Sequence, residues 1–193
     1  MHELLEQIKF IKEIDKLKYI QRKTKLFNSD RCENDAEHSW HMAMVAITLK
    51  EYFPKEVNLE KALKMILIHD LVEIYAGDTP AFGPDRVDKL EAEINAAKKL
   101  FAILPKDQEK EMLQLWLEFE DCKSNEAIYA NVCDKYQGFM QNVTSNGHTW
   151  EKFKVPMEKV IDRTKLLKEY LPELYEKHIL PELKKYKEKG IIR

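Results

Sequence analysis

The sequence has few cysteines, and this scarcity limits how the protein can be stabilised. Its 193 residues include only Cys32, Cys122 and Cys133. No two of them form a CxxC pair, and an odd number does not suit a disulfide framework. A chain of this length can bury enough apolar surface to be stable without disulfides. We therefore expect a protein that relies on its hydrophobic core.

An excess of charge and a long apolar run are also missing. The formal charge is −2, from 32 basic and 34 acidic residues, which predicts neither a nucleic acid nor an anionic membrane as partner. No run of 18 apolar residues occurs, so we expect no membrane span. The first residues, "MHELLEQIKFIKEIDKLKYI", carry charges every few positions, unlike a signal peptide. These features predict a soluble cytoplasmic protein.

Several widespread catalytic motifs are absent. The sequence contains no HExxH, GxxxxGK[ST], GxSxG or GxGxxG. Zincin-type metalloprotease, P-loop, nucleophile-elbow hydrolase and dinucleotide-binding functions therefore have no support.

Glycine is scarce, with five residues in all, and no stretch alternates convincingly between apolar and polar residues. Apolar residues instead recur at helical spacing, as in Leu4, Ile8, Ile11, Ile14 and Leu17. The sequence thus predicts one all-α domain over residues 1–193 with roughly seven to eight helices. We expect helices near residues 3–20, 35–53, 58–75, 86–104, 106–119, 125–145, 151–170 and 174–189.

One predicted helix carries polar groups in its most apolar part. The segment "KMILIHDLVEIYAGDTP" holds His69 and Asp70 between aliphatic residues. Burying both is costly unless each finds a partner, a charge or a metal. On a continuous helix, Glu73 would project between them one turn later. The alternative is a buried His–Asp hydrogen bond with Glu73 facing solvent.

Two other predicted helices carry similar residues. The segment "DAEHSWHMAMVA" presents His38 and His41, and "ANVCDKYQGFM" sets Asp134 among apolar residues. Helical bundles build metal sites from side chains of facing helices. His38 is then a ligand candidate, whereas His41 is expected to support the site or to lie in the core.

At this point the sequence resembles the HD superfamily of metal-dependent phosphohydrolases, whose signature is H…HD…D. The segments "RCENDAEHSWHMAMVA" and "LIHDLVEIYAGDTP" are similar to the R-x-E-N-x-x-E-H-S and H-D-x-x-E-x-x-x-G-D-x-P blocks of its 5′-deoxynucleotidases. The resemblance covers roughly residues 11–167. It implies a single HD-domain helical bundle with its core in that range and the C-terminal helix, about 174–189, packed on it.

The resemblance also implies a metal site and a substrate. The implied ligands are His38, His69, Asp70 and Asp134, and no histidine lies between Asp70 and Asp134 to hold a second ion. One divalent ion is expected, and Mn²⁺, Co²⁺, Fe²⁺, Zn²⁺, Ni²⁺ and Mg²⁺ all stay open. The implied activity removes the phosphate from deoxyribonucleoside 5′-monophosphates, in a homodimer.

Three further roles follow from the resemblance. Glu73 is the candidate acid or base, Asp78 would accept a hydrogen bond from the sugar 3′-hydroxyl, and Arg22 would hold the phosphate. Lys23 competes with Arg22 for that role. The structural alternatives are an exposed helix glutamate, an aspartate that starts the turn before Pro80, and a solvated basic face.

One departure affects specificity. The family commonly has a tryptophan after the phosphate-binding arginine, where it helps to reject a 2′-hydroxyl. The tryptophans of this chain are Trp40, Trp116 and Trp150, so a preference for deoxyribonucleotides is left open. Two other functions are alternatives: an HD phosphohydrolase acting on cyclic nucleotides, guanosine alarmones or nucleoside triphosphates, and a non-catalytic module stabilised by metal.

Overall fold

A computed structural model describes residues 2–82 and 89–193, and these fold almost entirely into helices. The all-α prediction is confirmed, although the described residues form twelve α-helical segments rather than seven or eight. None of the helices in these two ranges combines the length and the apolar character that a membrane crossing needs. That residues 1–193 form one domain stays a prediction.

The α-helices are α1 (His2–Ile14), α2 (Asp35–Leu49), α3 (Leu59–Ile68), α4 (Glu73–Ala76), α5 (Lys89–Phe101), α6 (Lys106–Asp121), α7 (Asn125–Thr144), α8 (His148–Lys152), α9 (Met157–Arg163), α10 (Lys165–Tyr170), α11 (Pro172–Leu174) and α12 (Leu180–Glu188). Short 3₁₀ turns cover Asp15–Tyr19, Lys50–Tyr52 and His69–Val72, and a π-helical turn covers Tyr175–Ile179.

A small antiparallel hairpin, β1 (Gln21–Lys25) and β2 (Cys32–Asn34), was not predicted. Its sequence shows no apolar alternation because the side chains that it turns inward are polar. Thr24 Oγ1 donates to Glu33 Oε1 at 2.6 Å, and Arg22 Nε lies 3.4 Å from the same oxygen. The hairpin therefore brings charge, and not apolar surface, to the interior.

The helix predicted through His69 and Asp70 is not continuous. α3 ends at Ile68, the chain makes a 3₁₀ turn, and α4 begins at Glu73. The indole nitrogen of Trp116 donates to the carbonyl oxygen of His69 at 3.0 Å, while the Glu73 amide bonds to earlier turn carbonyls instead. A 3₁₀ turn winds the backbone more tightly than an α-helix does. Glu73 therefore does not take the position between His69 and Asp70 that a continuous α-helix would give it.

Other helix predictions also differ from the structure, and the helix predicted at 174–189 appears as the end of α11, the π-helical turn and α12. The predicted helix at 151–170 is three helices, α8 to α10, because Pro156 precedes α9 and Thr164 ends it. Proline lacks the backbone N–H that a continuing helix needs. The predicted helix at 86–104 appears as α5 from Lys89, and its predicted start at residue 86 lies outside the described residues.

Helices α2, α3 and α7 pack against one another and hold the site between them. Their facing sides bury apolar side chains such as Met42, Ala46, Met65, Ile66 and Val132. The polar residues of the site extend from the same three-helix core, so water is largely excluded from them.

Candidate metal centre

The structure brings together the four ligand candidates from three parts of the chain. α2 supplies His38, the 3₁₀ turn supplies His69 and Asp70, and α7 supplies Asp134. One ligand atom from each of His38, His69 and Asp134 lies within 4.8 Å of the others. Asp70 completes the group, 3.1 Å from His69 Nε2 and 3.8 Å from His38 Nε2. All four residues are at most 8% exposed.

Local sequence fixes the position of His38. Asn34 begins α2 as its N-cap, and its side chain accepts a hydrogen bond from the Glu37 amide at 2.9 Å. The Glu37 carboxylate in turn accepts from the Asn34 amide at 3.0 Å. This capping box holds the first helical turn, from which His38 extends into the core.

The tautomer of His38 is set by a buried network. Gln137 Nε2 donates to Glu33 Oε2 at 2.9 Å, so the amide oxygen of Gln137 faces His38. That oxygen lies 2.7 Å from His38 Nδ1, which must therefore carry the proton and donate it. Gln141 donates to the same oxygen of Glu33 at 2.8 Å. His38 Nε2 is thus left with a lone pair that faces the centre.

His69 is oriented in the same way by the backbone. Its Nδ1 lies 2.7 Å from the carbonyl oxygen of Ile66, which can only accept a hydrogen bond. Its Nε2 consequently faces Asp70. Burial lowers the pKa of His69, but the Asp70 carboxylate more than offsets burial and the pKa lies above its ordinary value. The environment therefore favours positive charge at this imidazole.

Electron-pair donors face one another at the centre. His38 Nε2 is buried, lies 3.2 Å from Asp134 Oδ1 and makes no hydrogen bond. A lone pair opposite a carboxylate oxygen is unfavourable unless a cation lies between them. The residues therefore fit a divalent metal ion, in a mixed set of imidazole and carboxylate donors.

The charge of Asp134 suits the same role. Burial raises the pKa of this carboxyl, but the Lys135 ammonium holds it well below its ordinary value. Lys135 Nζ lies 2.6 Å from Asp134 Oδ2, the oxygen other than the one near His38. Asp134 is therefore an ionised ligand candidate.

A second group of carboxyls lies beside the centre. One oxygen from each of Asp35, Glu73 and Asp78 lies within 4.8 Å of the others, and each residue has a buried oxygen without a hydrogen bond. Burial, together with the charges of Asp70 and Asp35, raises the pKa of Glu73 far above its ordinary value. Burial and the charge of Asp70 raise the pKa of Asp35 to about 6. These surroundings therefore favour the protonated form of the Glu73 carboxyl.

Arg22 joins the two groups. Its Nη1 donates to Asp70 Oδ2 at 2.9 Å and to Asp35 Oδ1 at 3.3 Å. The side chain is 15% exposed, so it does not form a solvated basic face. Lys23, the competing candidate, is more exposed and follows Arg22 on β1.

The site also contains residues that the sequence analysis did not single out. These are Glu33, Asp35, Lys135, Gln137 and Arg163. Glu33 and Asp35 stand inside the quoted block "RCENDAEHS", so the resemblance contained a signal for them. Arg163 had no such signal, because α9 reaches the site only through tertiary packing. His41 is partly buried at the edge of the network, with its Nδ1 3.4 Å from Gln137 Nε2.

Comparisons with known proteins bear on the fold and the family of the chain. The family model described as "HD domain" matches residues 14–175. The solved structure of a predicted metal-dependent phosphohydrolase from Magnetospirillum magnetotacticum MS-1 has a TM-score of 0.91 and 38% identity, covering 98% of this chain and 95% of that chain.

Curated relatives include two proteins with the same name. The 5′-deoxynucleotidase HDDC2 of Bos taurus is 29% identical over 136 residues, covering 69% of this chain and 65% of the relative. The protein of that name from Dictyostelium discoideum is 36% identical over 115 residues, covering 56% of this chain and 60% of the relative. Each match thus spans less than two thirds of the relative's length. The family model and the solved structure cover most of this chain, and the chain belongs to the HD-domain family.

Proposed function

We propose that this protein is a metal-dependent phosphomonoesterase that removes the 5′-phosphate from ribo- and deoxyribonucleoside monophosphates. The observation that carries the proposal is the meeting of imidazole and carboxylate acceptors in one buried site, beside a Glu73 carboxyl that has a buried oxygen without a hydrogen bond. The similarity to proteins named 5′-deoxynucleotidases supports this choice of substrate.

His38, His69, Asp70 and Asp134 would hold one divalent ion. Mn²⁺, Co²⁺, Fe²⁺, Zn²⁺, Ni²⁺ and Mg²⁺ are all compatible with two imidazoles and two carboxylates. Such an ion supplies Lewis acidity and lowers the pKa of water at neutral pH. The protein's own task is to hold the ligand tautomers, which the Gln137 and Ile66 oxygens accomplish.

Glu73 is proposed as the catalytic acid. The nucleoside 5′-oxygen needs a proton when it leaves, and a carboxyl that stays protonated at neutral pH can donate one. Glu73 Oε2 is buried without a hydrogen bond, and the residue lines the same cavity as His69 and Asp70. After donation, the charge of Arg22 nearby offsets the new carboxylate.

Asp78 and Arg22 are proposed to bind substrate. Asp78 Oδ2 is buried without a partner and can accept a hydrogen bond from a sugar hydroxyl. Arg22 lines the same cavity, and a guanidinium can donate hydrogen bonds to a phosphate oxygen there. The alternative expectation was that Asp78 only starts the turn before Pro80. That role alone does not explain why one of its oxygens is buried without a hydrogen bond.

Lys23 on strand β1 of the hairpin supports tolerance of both ribose and deoxyribose in the substrate. Lys23 stands where a tryptophan is common in the family, and it lines a pocket next to the cavity. Phe82 and Phe153 line the same pocket, which suits a nucleobase. A flexible lysine blocks a 2′-hydroxyl poorly, so both classes of monophosphate are expected as substrates.

The protein is also proposed to be a cytoplasmic homodimer. Apolar side chains that are more than one third exposed support an interface: Leu4, Leu5, Ile8 and Ile11 on α1, and Trp40, Met44 and Ile47 on α2. Neither nucleic acid nor a membrane is expected as partner.

Phosphate release from a substrate panel tests the function. Metal-stripped and metal-restored protein is incubated with ribo- and deoxyribonucleoside monophosphates, cyclic nucleotides, alarmones and triphosphates. Metal-dependent turnover of monophosphates is expected. Cleavage of only the other substrates would favour a different HD phosphohydrolase, and no turnover with a metal-dependent melting temperature would favour a stabilised module.

A further inference from the structure

Besides Arg22, the cavity beside the metal centre contains cations that the proposed function leaves without a substrate contact. It has a volume of about 170 Å³, and Arg22, Lys135 and Arg163 all line it. The same three side chains line the adjoining pocket, so they stand where the two spaces meet. A nucleotide that extends from the cavity into the pocket would pass all three.

The charge of Arg22 is already shared among acidic neighbours. Its guanidinium is within 3.4 Å of carboxylate oxygens of Glu33, Asp35 and Asp70. An arginine so placed mainly orients and balances these carboxylates. Its charge is therefore only partly available to a phosphate dianion.

Arg163 differs from Arg22 in making no close ion pair among the described residues, although its charge helps to lower the pKa of Asp134. It ends α9, and within residues 2–82 and 89–193 no carboxylate oxygen forms an ion pair with it. Its guanidinium carbon lies 5.9 Å from the centre of the Phe82 ring, a cation–π distance that supports the side chain without neutralising it. A partly buried, unpaired guanidinium in a cavity is suited to an anionic ligand.

Lys135 follows Asp134 on α7 and contacts its outer oxygen at 2.6 Å. A divalent ion bound by Asp134 would compete with the ammonium for that carboxylate. The Lys135 side chain, about one fifth exposed, would then be free to turn towards the cavity. An anion bound next to the metal would be its natural partner.

The carboxyls around the cavity make added cations necessary. Asp70, Glu73, Asp78 and Asp134 all line it, and a phosphate dianion is repelled by those that are ionised. We propose that Lys135 and Arg163 form an anion-binding pair that holds the non-bridging oxygens of the substrate phosphate, opposite Arg22. The inference deepens the proposed function and rests on it for the identity of the substrate.

Binding of inorganic phosphate to the metal-loaded protein tests the pair. Isothermal titration calorimetry of Lys135→Met and Arg163→Met should show phosphate affinity about 10- to 100-fold weaker than in the unsubstituted protein, the range for a charged hydrogen bond. The same two variants should show a raised KM for a nucleoside monophosphate. Lys135→Arg should keep phosphate affinity within about threefold, because it keeps the charge.

Lys165→Met is the matched control. Lys165 lies two residues after Arg163 and is 69% exposed, so its loss should change phosphate affinity by at most about twofold. Metal content is measured in every variant. Phosphate affinity unchanged in both Met variants at full metal content would overturn the inference, as would absence of phosphate binding by the unsubstituted protein. If no phosphomonoester is hydrolysed yet the two variants lose phosphate affinity, the proposed function fails and the anion pair stands.

Discussion

Two groups of carboxyls lie side by side in this protein, and their pKa values are shifted in opposite directions. In the metal centre, Asp70 and Asp134 have pKa values below their ordinary range, even though burial alone would raise them. In the neighbouring group, burial raises the pKa values of Asp35, Glu73 and Asp78. Asp35 and Glu73 are buried as deeply as Asp70 and Asp134, so burial does not explain the difference in pKa.

The charges of neighbouring residues explain the difference in pKa between the two groups. His69, Arg22 and Lys135 stabilise the charge of the first group, whereas the charges of Asp70 and Asp35 raise the pKa of Glu73 in the second group. A carboxylate kept ionised suits a cation, and a carboxyl kept neutral suits a proton donor. A few ångströms thus separate a candidate ligand set from a candidate acid.

The largest expected effect comes from removing a charge in the metal centre. Asp134→Asn keeps the shape but loses the anionic donor, so we expect phosphate release to fall to background and bound metal to fall with it. Activity assays and elemental analysis measure the two. Asp121→Asn, at an exposed position at the end of α6, should change neither. If Asp134→Asn kept full metal occupancy, the charge of Asp134 would not be needed to bind the metal. The proposed distinction between a metal-binding group and a proton-donating group of carboxyls would then fail.

Next in size is the loss of the proposed acid. Glu73→Gln should lower kcat by about 10²- to 10⁴-fold, the usual contribution of acid–base catalysis, while metal content stays unchanged. Steady-state kinetics and elemental analysis separate these effects. The exposed Glu91→Gln on α5 serves as control. Normal turnover in the Glu73 variant would mean that its proton has no role.

A smaller effect is expected from the network behind His38. Gln137→Leu removes the oxygen that fixes the His38 tautomer, and metal affinity should weaken by about 10- to 100-fold. Metal titration gives the affinity, and ¹⁵N NMR of the metal-free protein gives the tautomer. The exposed Gln114→Leu should leave both unchanged. An unaltered tautomer in the Gln137 variant would contradict the role of the network.

The smallest effect concerns stability against pH. Glu73 has a raised pKa in the folded state, so that state binds more protons and loses stability as pH rises above about 4.5. Glutamine cannot ionise. For metal-free protein, the fall in free energy of unfolding from pH 5 to pH 8 should therefore be smaller in Glu73→Gln, by about 1.4 kcal/mol for each pH unit over which only the folded state keeps the proton.

Urea denaturation at the two pH values measures this difference. The carboxylates of the metal centre have lowered pKa values and act in the opposite sense, because their contribution is lost as pH falls. Comparing the two proteins cancels that contribution. If the unsubstituted protein and Glu73→Gln showed the same pH dependence of the free energy of unfolding, Glu73 would not be the group that holds the extra proton.

The sequence predicted some of these features better than others. Helical spacing and scarce glycine predicted an all-α fold, and the H…HD…D spacing predicted the family; both are confirmed. The β-hairpin was missed because Arg22, Thr24 and Glu33 are polar residues that turn inward. The path from His69 to Glu73 was predicted wrongly, since it depends on the indole of Trp116, which is distant in sequence.

By itself, the sequence determined the helical class, the family and the residue types able to bind metal, because these follow from local periodicity and from spacing along the chain. Only the tertiary structure decided which carboxyls are charged and which keep a proton. That outcome depends on cations such as Arg22 and Lys135 brought near by packing, and electrostatic interactions depend on distances in space.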